Sequence, residues 1–529
     1  MAVKVFSSQV VGLKADVIDV EVDLTNGLHS FSLVGLPDKA VEESKDRVCA
    51  AIKNSGFISP KTRNQKVVVS LAPAELKKEG PVFDLSVAMA YLLASKQVYF
   101  EPDGKIFLGE LALDGKIRPI KGVLSLVKNA KSAGFEEIFL PKANAKEAAL
   151  IDGIKIFACE KLEDITNHFD RENGFALERQ PKTEIDFDNF QSEILFDFSD
   201  IKGQETAKRG LEIAAAGGHN VMMSGPAGTG KTMLAKAFAS ILPPLSFEEI
   251  LETTSIHSVA GALNGDFVLQ RPFRSPHHTA SYVALVGGGV YPKPGEITLS
   301  HRGVLFLDEF PEFERRVIES LRQPLEEGFV NVSRAKGSVT FPARFIMICA
   351  MNPCPCGNHG SKKKDCVCPQ GALVRYQRKI SGPIVDRVDL WVEVPQVDHQ
   401  KLSDEKIISE PSENIRKRVI KARDIQKKRF AAENKAKKSK RKNEFEACPP
   451  GFGGAGVMTN SEMGVKELKK FALLSEKVKD ILNSAAGKLD LSARAYHRVI
   501  KLSRTIADLD NAENIEENHI LEALQYRPK

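Results

Sequence analysis

A chain of 529 residues, 42% of them hydrophobic, is long enough for about three domains with cores of their own. No apolar run approaches the roughly 20 residues that cross a bilayer, and Met1-Ala2-Val3-Lys4-Val5-Phe6 opens into strand-like sequence rather than a basic then apolar leader, so a cytoplasmic protein with no membrane-spanning helix is expected. The eight cysteines are mostly clustered, as suits metal or structural use in a reducing compartment, and the net charge of +6 is small enough that its distribution matters more than its total.

Residues 1–170 alternate strand-like and helix-like segments. Val17–Leu24 and Lys66–Leu71 read as strands, and Asp38–Val48 and Phe83–Leu93 read as helices. Gly80-Pro81, the helix after it, Gly109-Glu110-Leu111 and Gly115-Lys116-Ile117-Arg118-Pro119-Ile120 resemble the proteolytic domain of Lon. That family places a nucleophilic Ser directly after the Gly-Pro and a general-base Lys in the helix after the Pro-Ile. Here those places hold Val82 and, nearby, Leu124, and Lys121 and Lys128 miss the register. Without the Ser a lysine has nothing to activate. The resemblance therefore implies a non-proteolytic Lon-like α+β domain for assembly or substrate contact. Residues 171–198, rich in acids and Phe, read as a linker.

Phe198 to Gln204 opens the next domain, 199–398. Its centre is Gly225-Pro226-Ala227-Gly228-Thr229-Gly230-Lys231-Thr232, set between the apolar run Asn220–Ser224 and the helical run Met233–Phe238. Strand, glycine loop and helix make a P-loop. Its backbone N–H groups turn toward phosphate oxygens, Lys231 reaches the β- and γ-phosphates of ATP, and the Thr232 hydroxyl takes one position on Mg²⁺. His277-His278, in an inserted loop that can move with nucleotide, is too close-set to make a metal site without further ligands. The strand Gly303–Leu307 ends in Asp308-Glu309. Beside a P-loop this pair reads as a second nucleotide motif, with Asp308 in the Mg²⁺ shell and Glu309 polarising the attacking water, although alone it could cap the helix expected at Phe313–Glu327.

Residues 329–341 read as a hairpin with Arg334 and Lys336 near its tip. The tip either grips a phosphate backbone or is a solvated turn. Phe345–Met351 is a further buried strand ending at Asn352, which is placed to hold the catalytic water or sense the γ-phosphate. The loop 354–368 carries Cys354, Cys356, Cys366 and Cys368, two C-x-C pairs. Four thiolates can close a structural Zn²⁺ site with no open position, or remain reduced buried thiols. Arg387, in Gly382-Pro383-Ile384-Val385-Asp386-Arg387, can complete a neighbouring subunit's site.

The last domain, 399–529, begins with a densely basic run from Asn414 to Asn443. One reading is a solvated helix face, but one-sided basicity in an otherwise balanced chain favours a polyanion. Arg494, in Leu491-Ser492-Ala493-Arg494, begins a helix of a lid and either points at the γ-phosphate or is an ordinary surface arginine.

In its order of motifs the whole chain resembles the YifB/ComM family of magnesium-chelatase-like AAA+ ATPases. The resemblance implies an α/β P-loop AAA+ core, a Lon-like domain before it and a helical lid after it. It makes Lys231 and Thr232 Walker A, Asp308 and Glu309 Walker B, Asn352 sensor 1, Arg387 the arginine finger and Arg494 sensor 2. It further implies a homo-hexamer on single-stranded or branched DNA that drives branch migration in natural transformation. A magnesium-chelatase-type ATPase subunit, or a non-enzymatic scaffold, are the competing readings.

Overall fold

The computed structural model describes residues 2–170, 172, 174–185, 196–289, 292–334, 337–359, 364–397, 409–441 and 456–528. They fall into two compact units, Met1–Phe190 with Ile250–Val268, and Gln191–Glu249 with Leu269–Lys529.

The first unit is built on a seven-stranded mixed sheet in the order Ser30–Val34, Gln65–Ala72, Lys14–Asn26, Val3–Val11, Lys105–Phe107, Glu137–Pro141, Lys155–Cys159. Lys14–Asn26 contains the strand expected at 17–24, and its alternation turns Ile18, Val20 and Val22 to one buried face, with Ala15 buried on the other. The helices expected at 38–48 and 83–93 are present as Lys39–Asn54, capped by the Asp38 carboxylate on the Val41 N–H at 2.9 Å, and Asp84–Ala94. Asp84 is fully buried. Arg47 holds its carboxylate at 2.7 and 3.0 Å, and the Leu111 N–H donates to it at 3.2 Å, which offsets the cost of burying a charge. Val82 packs against the apolar core, its carbonyl accepting from the Gly109 N–H at 3.0 Å, and Leu124 is buried, so both dyad positions are apolar.

The unit borders differ from the sequence reading in two places. Ile250–Val268, which falls within the expected ATPase stretch, packs in the first unit. Ser255 Oγ lies 3.0 Å from Ser125 Oγ, the Gly122 N–H donates to Ser258 Oγ at 2.9 Å, and Lys146 pairs with Asp266 at 3.2 Å. These contacts are polar and leave no trace in apolar periodicity. The described part of the expected linker also runs along this unit. The Gln180 N–H donates to the Ile156 carbonyl at 2.8 Å and Thr183 Oγ1 to the Lys146 carbonyl at 2.8 Å.

The second unit holds a five-stranded parallel sheet in the order Phe273–Arg274, Val304–Leu307, Ile346–Met351, Val221–Ser224, Leu390–Glu393. Near-continuous apolar runs suit strands covered on both faces, and Phe238, Phe306, Ile348 and Leu390 fill the core beside them. Because the strands are parallel and in register, Ser224 opposite Met351 and Leu307 opposite Cys349, three of them finish at one edge. Their next residues are Gly225, Asp308 and Asn352. The helix expected at Phe313–Glu327 is instead two short ones, Arg315–Ser320 and Arg322–Glu327. Pro324 has no N–H to bond back to the preceding turn, which interrupts a continuous helix. The expected hairpin pairs Phe329–Arg334 with Gly337–Pro342.

The basic run forms part of one long helix, Ser412–Arg441, that buries Ile415, Val419, Ala422, Gln426 and Phe430. Further helices follow, among them Glu476–Lys488 and Ala493–Leu509, the latter capped by Ser492 on the Ala495 N–H. Among the described residues no helix is long and apolar enough to cross a membrane.

Candidate functional site

The P-loop joins the strand Val221–Ser224 to the helix Lys231–Ile241, with Gly230 at φ +89° as its N-cap. Gly225 cannot be larger, since a Cβ there would come within 2.1 Å of the Val394 carbonyl oxygen. The N–H groups of the first helical turn are free of intrahelical partners and can donate to phosphate oxygens. Lys231 is buried. Its Nζ donates to the carbonyls of Gly225 at 2.6 Å and Pro226 at 2.8 Å, and to Asn352 Oδ1 at 3.2 Å. Burial lowers its pKa, opposed by the Asp308 carboxylate.

Thr232 Oγ1 donates to Asp308 Oδ2 at 2.8 Å, so hydroxyl and carboxylate share one small space with the donor chemistry Mg²⁺ takes. Glu309 has a left-handed backbone, φ +49°, unusual for a non-glycine residue and of the kind found at functional sites. Its N–H donates to Asp308 Oδ1 at 2.9 Å, and one of its carboxylate oxygens lies 3.1 Å from His278 Nδ1. Sequence reasoning weighed His278 only as a metal ligand. The strand register on which the inserted loop meets Glu309 is a tertiary feature.

Arg387 and Arg494 converge on one carboxylate. Arg387 is ion-paired with Glu326, and Arg494 Nη2 lies 3.7 Å from the same group. Burial and the neighbouring guanidinium groups disfavour charge on Arg387, and Glu326 opposes them. Both arginines stand at the sheet edge opposite the P-loop. The Arg387 carbonyl accepts from Asn220 Nδ2 at 3.2 Å, and Asn220 Oδ1 and backbone sit where the P-loop strand begins, with its carbonyl accepting from the Asp389 N–H at 2.9 Å. From there to Gly225 is about five residues of extended chain, roughly 16 Å. Ser492 Oγ, beside Arg494, lies 3.4 Å from Asp386 Oδ1.

The four cysteines come together. Cys354 Sγ lies 3.3 Å from Cys356 Sγ and 3.7 Å from Cys366 Sγ, and all four sulfurs are within 4.8 Å of one another. The His359 N–H donates to Cys354 Sγ at 3.3 Å, and the Asn358 N–H leads the contacts that pull the Cys356 thiol down to about 6. The set has the ligand type and closeness of a four-thiolate zinc site.

The nucleic-acid candidates are less placed. Lys336 lies outside the described residues, and Arg334 is described only as the last residue of its strand. In the basic run, Arg418 pairs with Glu212 at 2.6 Å and Glu410 at 2.5 Å, Arg423 donates to the Ala215 carbonyl at 2.8 Å, and Arg429 pairs with Asp508 at 2.5 Å. These three serve the fold, which leaves Lys417, Lys421, Lys427 and Lys428 on the exposed face. Gln204 was also missed as a site residue. Its Nε2 donates to the Pro395 carbonyl at 2.6 Å and lies 3.4 Å from that of Thr229 in the P-loop.

Three families match in tandem: Magnesium chelatase, subunit ChlI, over residues 197–402; Subunit ChlI of Mg-chelatase over 20–144; and Magnesium chelatase, subunit ChlI C-terminal, over 409–527. The chain is 41% identical over 530 residues to Competence protein ComM of Haemophilus influenzae, covering 99% of this chain and 97% of that one. It is 41% identical over 521 residues to YifB of Salmonella typhimurium, covering 98% and 95%. A stretch of 166 residues is 26% identical to the Lon protease of Mycolicibacterium smegmatis, 30% of this chain and 21% of that one. With the P-loop, the parallel sheet and the near full-length identities on one chain, it belongs to the YifB/ComM family of magnesium-chelatase-like AAA+ ATPases.

Proposed function

We propose that the chain is a cytoplasmic ATP-driven motor on DNA, a homo-hexameric branch-migration helicase that aids recombination and natural transformation. The observation that carries the hydrolytic half is that Lys231 meets Asn352, and Thr232 meets Asp308, at the C-terminal edge of the sheet where the P-loop begins. In this reading the P-loop N–H groups and Lys231 hold the phosphates of ATP. Thr232 and Asp308 would hold Mg²⁺, which when bound neutralises charge developing on the phosphoryl oxygens. Glu309 orients and deprotonates the attacking water, and Asn352 holds that water or senses the γ-phosphate.

Arg387 and Arg494 stand at the sheet edge opposite their own P-loop, which supports a role for them at a neighbour's site. A neighbour's nucleotide is the anion that would replace Glu326 between them, which supports a ring. The DNA half draws on the competence protein among the relatives, the hairpin at 329–341 with Arg334 and Lys336, and the exposed lysines of the long helix. The same reading gives the four cysteines a structural zinc ion.

A second reading, an ATPase subunit that drives metal insertion with a partner, draws on the magnesium-chelatase families. Phosphate release measured alone, with single-stranded DNA and with a branched junction, separates the two. The motor reading expects stimulation by DNA and none in Glu309→Gln. Turnover indifferent to every DNA tried would overturn the motor half, and no turnover alone, with any DNA or with a chelatase partner would overturn both readings.

A further inference from the structure

We propose that the metal knuckle at Cys354, Cys356, Cys366 and Cys368 is a brace for the nucleotide site, so that a bound Zn²⁺ sets the affinity for ATP. This rests on the zinc reading of the cysteines given above.

A Zn–S length of about 2.3 Å requires sulfurs about 3.8 Å apart. The Cys354–Cys366 and Cys356–Cys366 distances are both 3.7 Å, the Cys354–Cys356 distance is 3.3 Å, and all four sulfurs lie within 4.8 Å of one another, so small side-chain shifts bring them to one tetrahedral ion. Neutral thiols are weak donors and weak acceptors, so sulfur contacts alone hold little together. The His359 N–H on Cys354 is the kind of outer hydrogen bond that steadies a metal thiolate.

Both ends of the knuckle lead to Asn352. Cys354 follows it by two residues. Cys368 leads through Pro369 into the helix Gln370–Gln377, whose buried Tyr376 has its hydroxyl beside the Asn352 backbone. The metal therefore closes a loop on the residue whose side chain meets Lys231 at 3.2 Å. The knuckle also meets the P-loop directly. Its turn residue Gly357 has φ +77°, and a Cβ there would stand 3.7 Å from the Ala227 nitrogen and 4.0 Å from Asn352 Cγ. With the ion bound, Cys354 and Cys368 are tied together and the Gly357 turn is held against Ala227 and Asn352. Without it that tie is gone, and the turn no longer steadies Asn352 and the P-loop backbone.

The test uses the purified full chain, with zinc measured by plasma mass spectrometry and affinity by titration of a fluorescent ATP analogue. Expected are about one zinc per chain and a loss of about tenfold or more in nucleotide affinity when a thiol reagent and chelator remove it, restored by adding Zn²⁺. Because removal could unfold the chain, Gly357→Asn provides a second arm. Asparagine tolerates the left-handed backbone of that turn, so the variant should keep its zinc and its circular dichroism, while its side chain stands against Ala227 and Asn352 and weakens binding of the analogue about fivefold. Absence of zinc from protein purified without chelator overturns the zinc reading and the brace with it, while the ATPase reading stands. Zinc present, with affinity unchanged both after its removal and in Gly357→Asn, overturns the brace alone.

Discussion

The Nδ1 nitrogen of His278 stands 3.1 Å from a carboxylate oxygen of Glu309, the residue assigned to polarise the attacking water. Glu309 is half exposed on a left-handed backbone, so a polar partner is what narrows the positions its carboxylate can take. A well-placed general base contributes about 10²–10⁴-fold to rate, and losing part of that placement should lower kcat about tenfold in His278→Ala. KM for ATP should hold, because His278 meets the glutamate and not the P-loop. Steady-state kinetics read both, and a raised KM at unchanged kcat would assign His278 to binding instead.

Arg387 and Arg494 share Glu326, at the far edge of the sheet from their own P-loop. Complementation between variants reads whether they act on a neighbour. Glu309→Gln and Arg387→Ala should each be inactive alone. Mixed in equal amounts they should regain activity, up to about a quarter of the native rate, from interfaces pairing an intact Glu309 with an intact Arg387. No recovery in freshly mixed rings would place the arginine in its own subunit's site.

Asp508 is fully buried and receives Arg429 at 2.5 Å, Arg504 at 2.9 Å and Asn460 Nδ2 at 2.8 Å. Removing one partner of such a group leaves charges without compensation. Asp508→Ala should therefore cost about 3–5 kcal/mol of stability, read as a lower midpoint in chemical denaturation. Lys421→Ala with Lys428→Ala should leave that midpoint in place. Those lysines are exposed, and the pair should instead weaken DNA binding and flatten its dependence on salt.

Glu147 is buried in the first unit, with Leu124, Asn144 and Ser258 around its carboxyl, and burial pushes its pKa from 4.5 up to about 7. A carboxyl whose folded pKa is raised favours the folded state fully below the unfolded value, and that contribution is lost as pH rises through about 7. The displacement corresponds to about 3 kcal/mol. Glu147→Gln should thus raise the unfolding temperature at pH 8 and leave it nearly unchanged at pH 4. Equal shifts at both pH values would mean the carboxyl is ionised throughout.

The local chemistry of this protein is written in short stretches. Gly225 to Thr232 is legible because a phosphate loop needs glycines and a lysine at fixed spacing along one strand, loop and helix, and Asp308-Glu309 and Asn352 are legible because each ends an apolar run. The alternation in Lys14–Asn26 and the capped helix after Asp38 are local in the same sense. Tertiary structure decided which residues meet. Parallel strand register brought Asp308 to Thr232 and Asn352 to Lys231. Loop insertion set His278 on Glu309, and the buried carboxylates Glu212 and Asp508 drew Arg418 and Arg429 out of what reads as a charged surface. A charge in sequence carries no sign of what it will be buried against, because ion pairs form across a fold between residues with no spacing rule to link them.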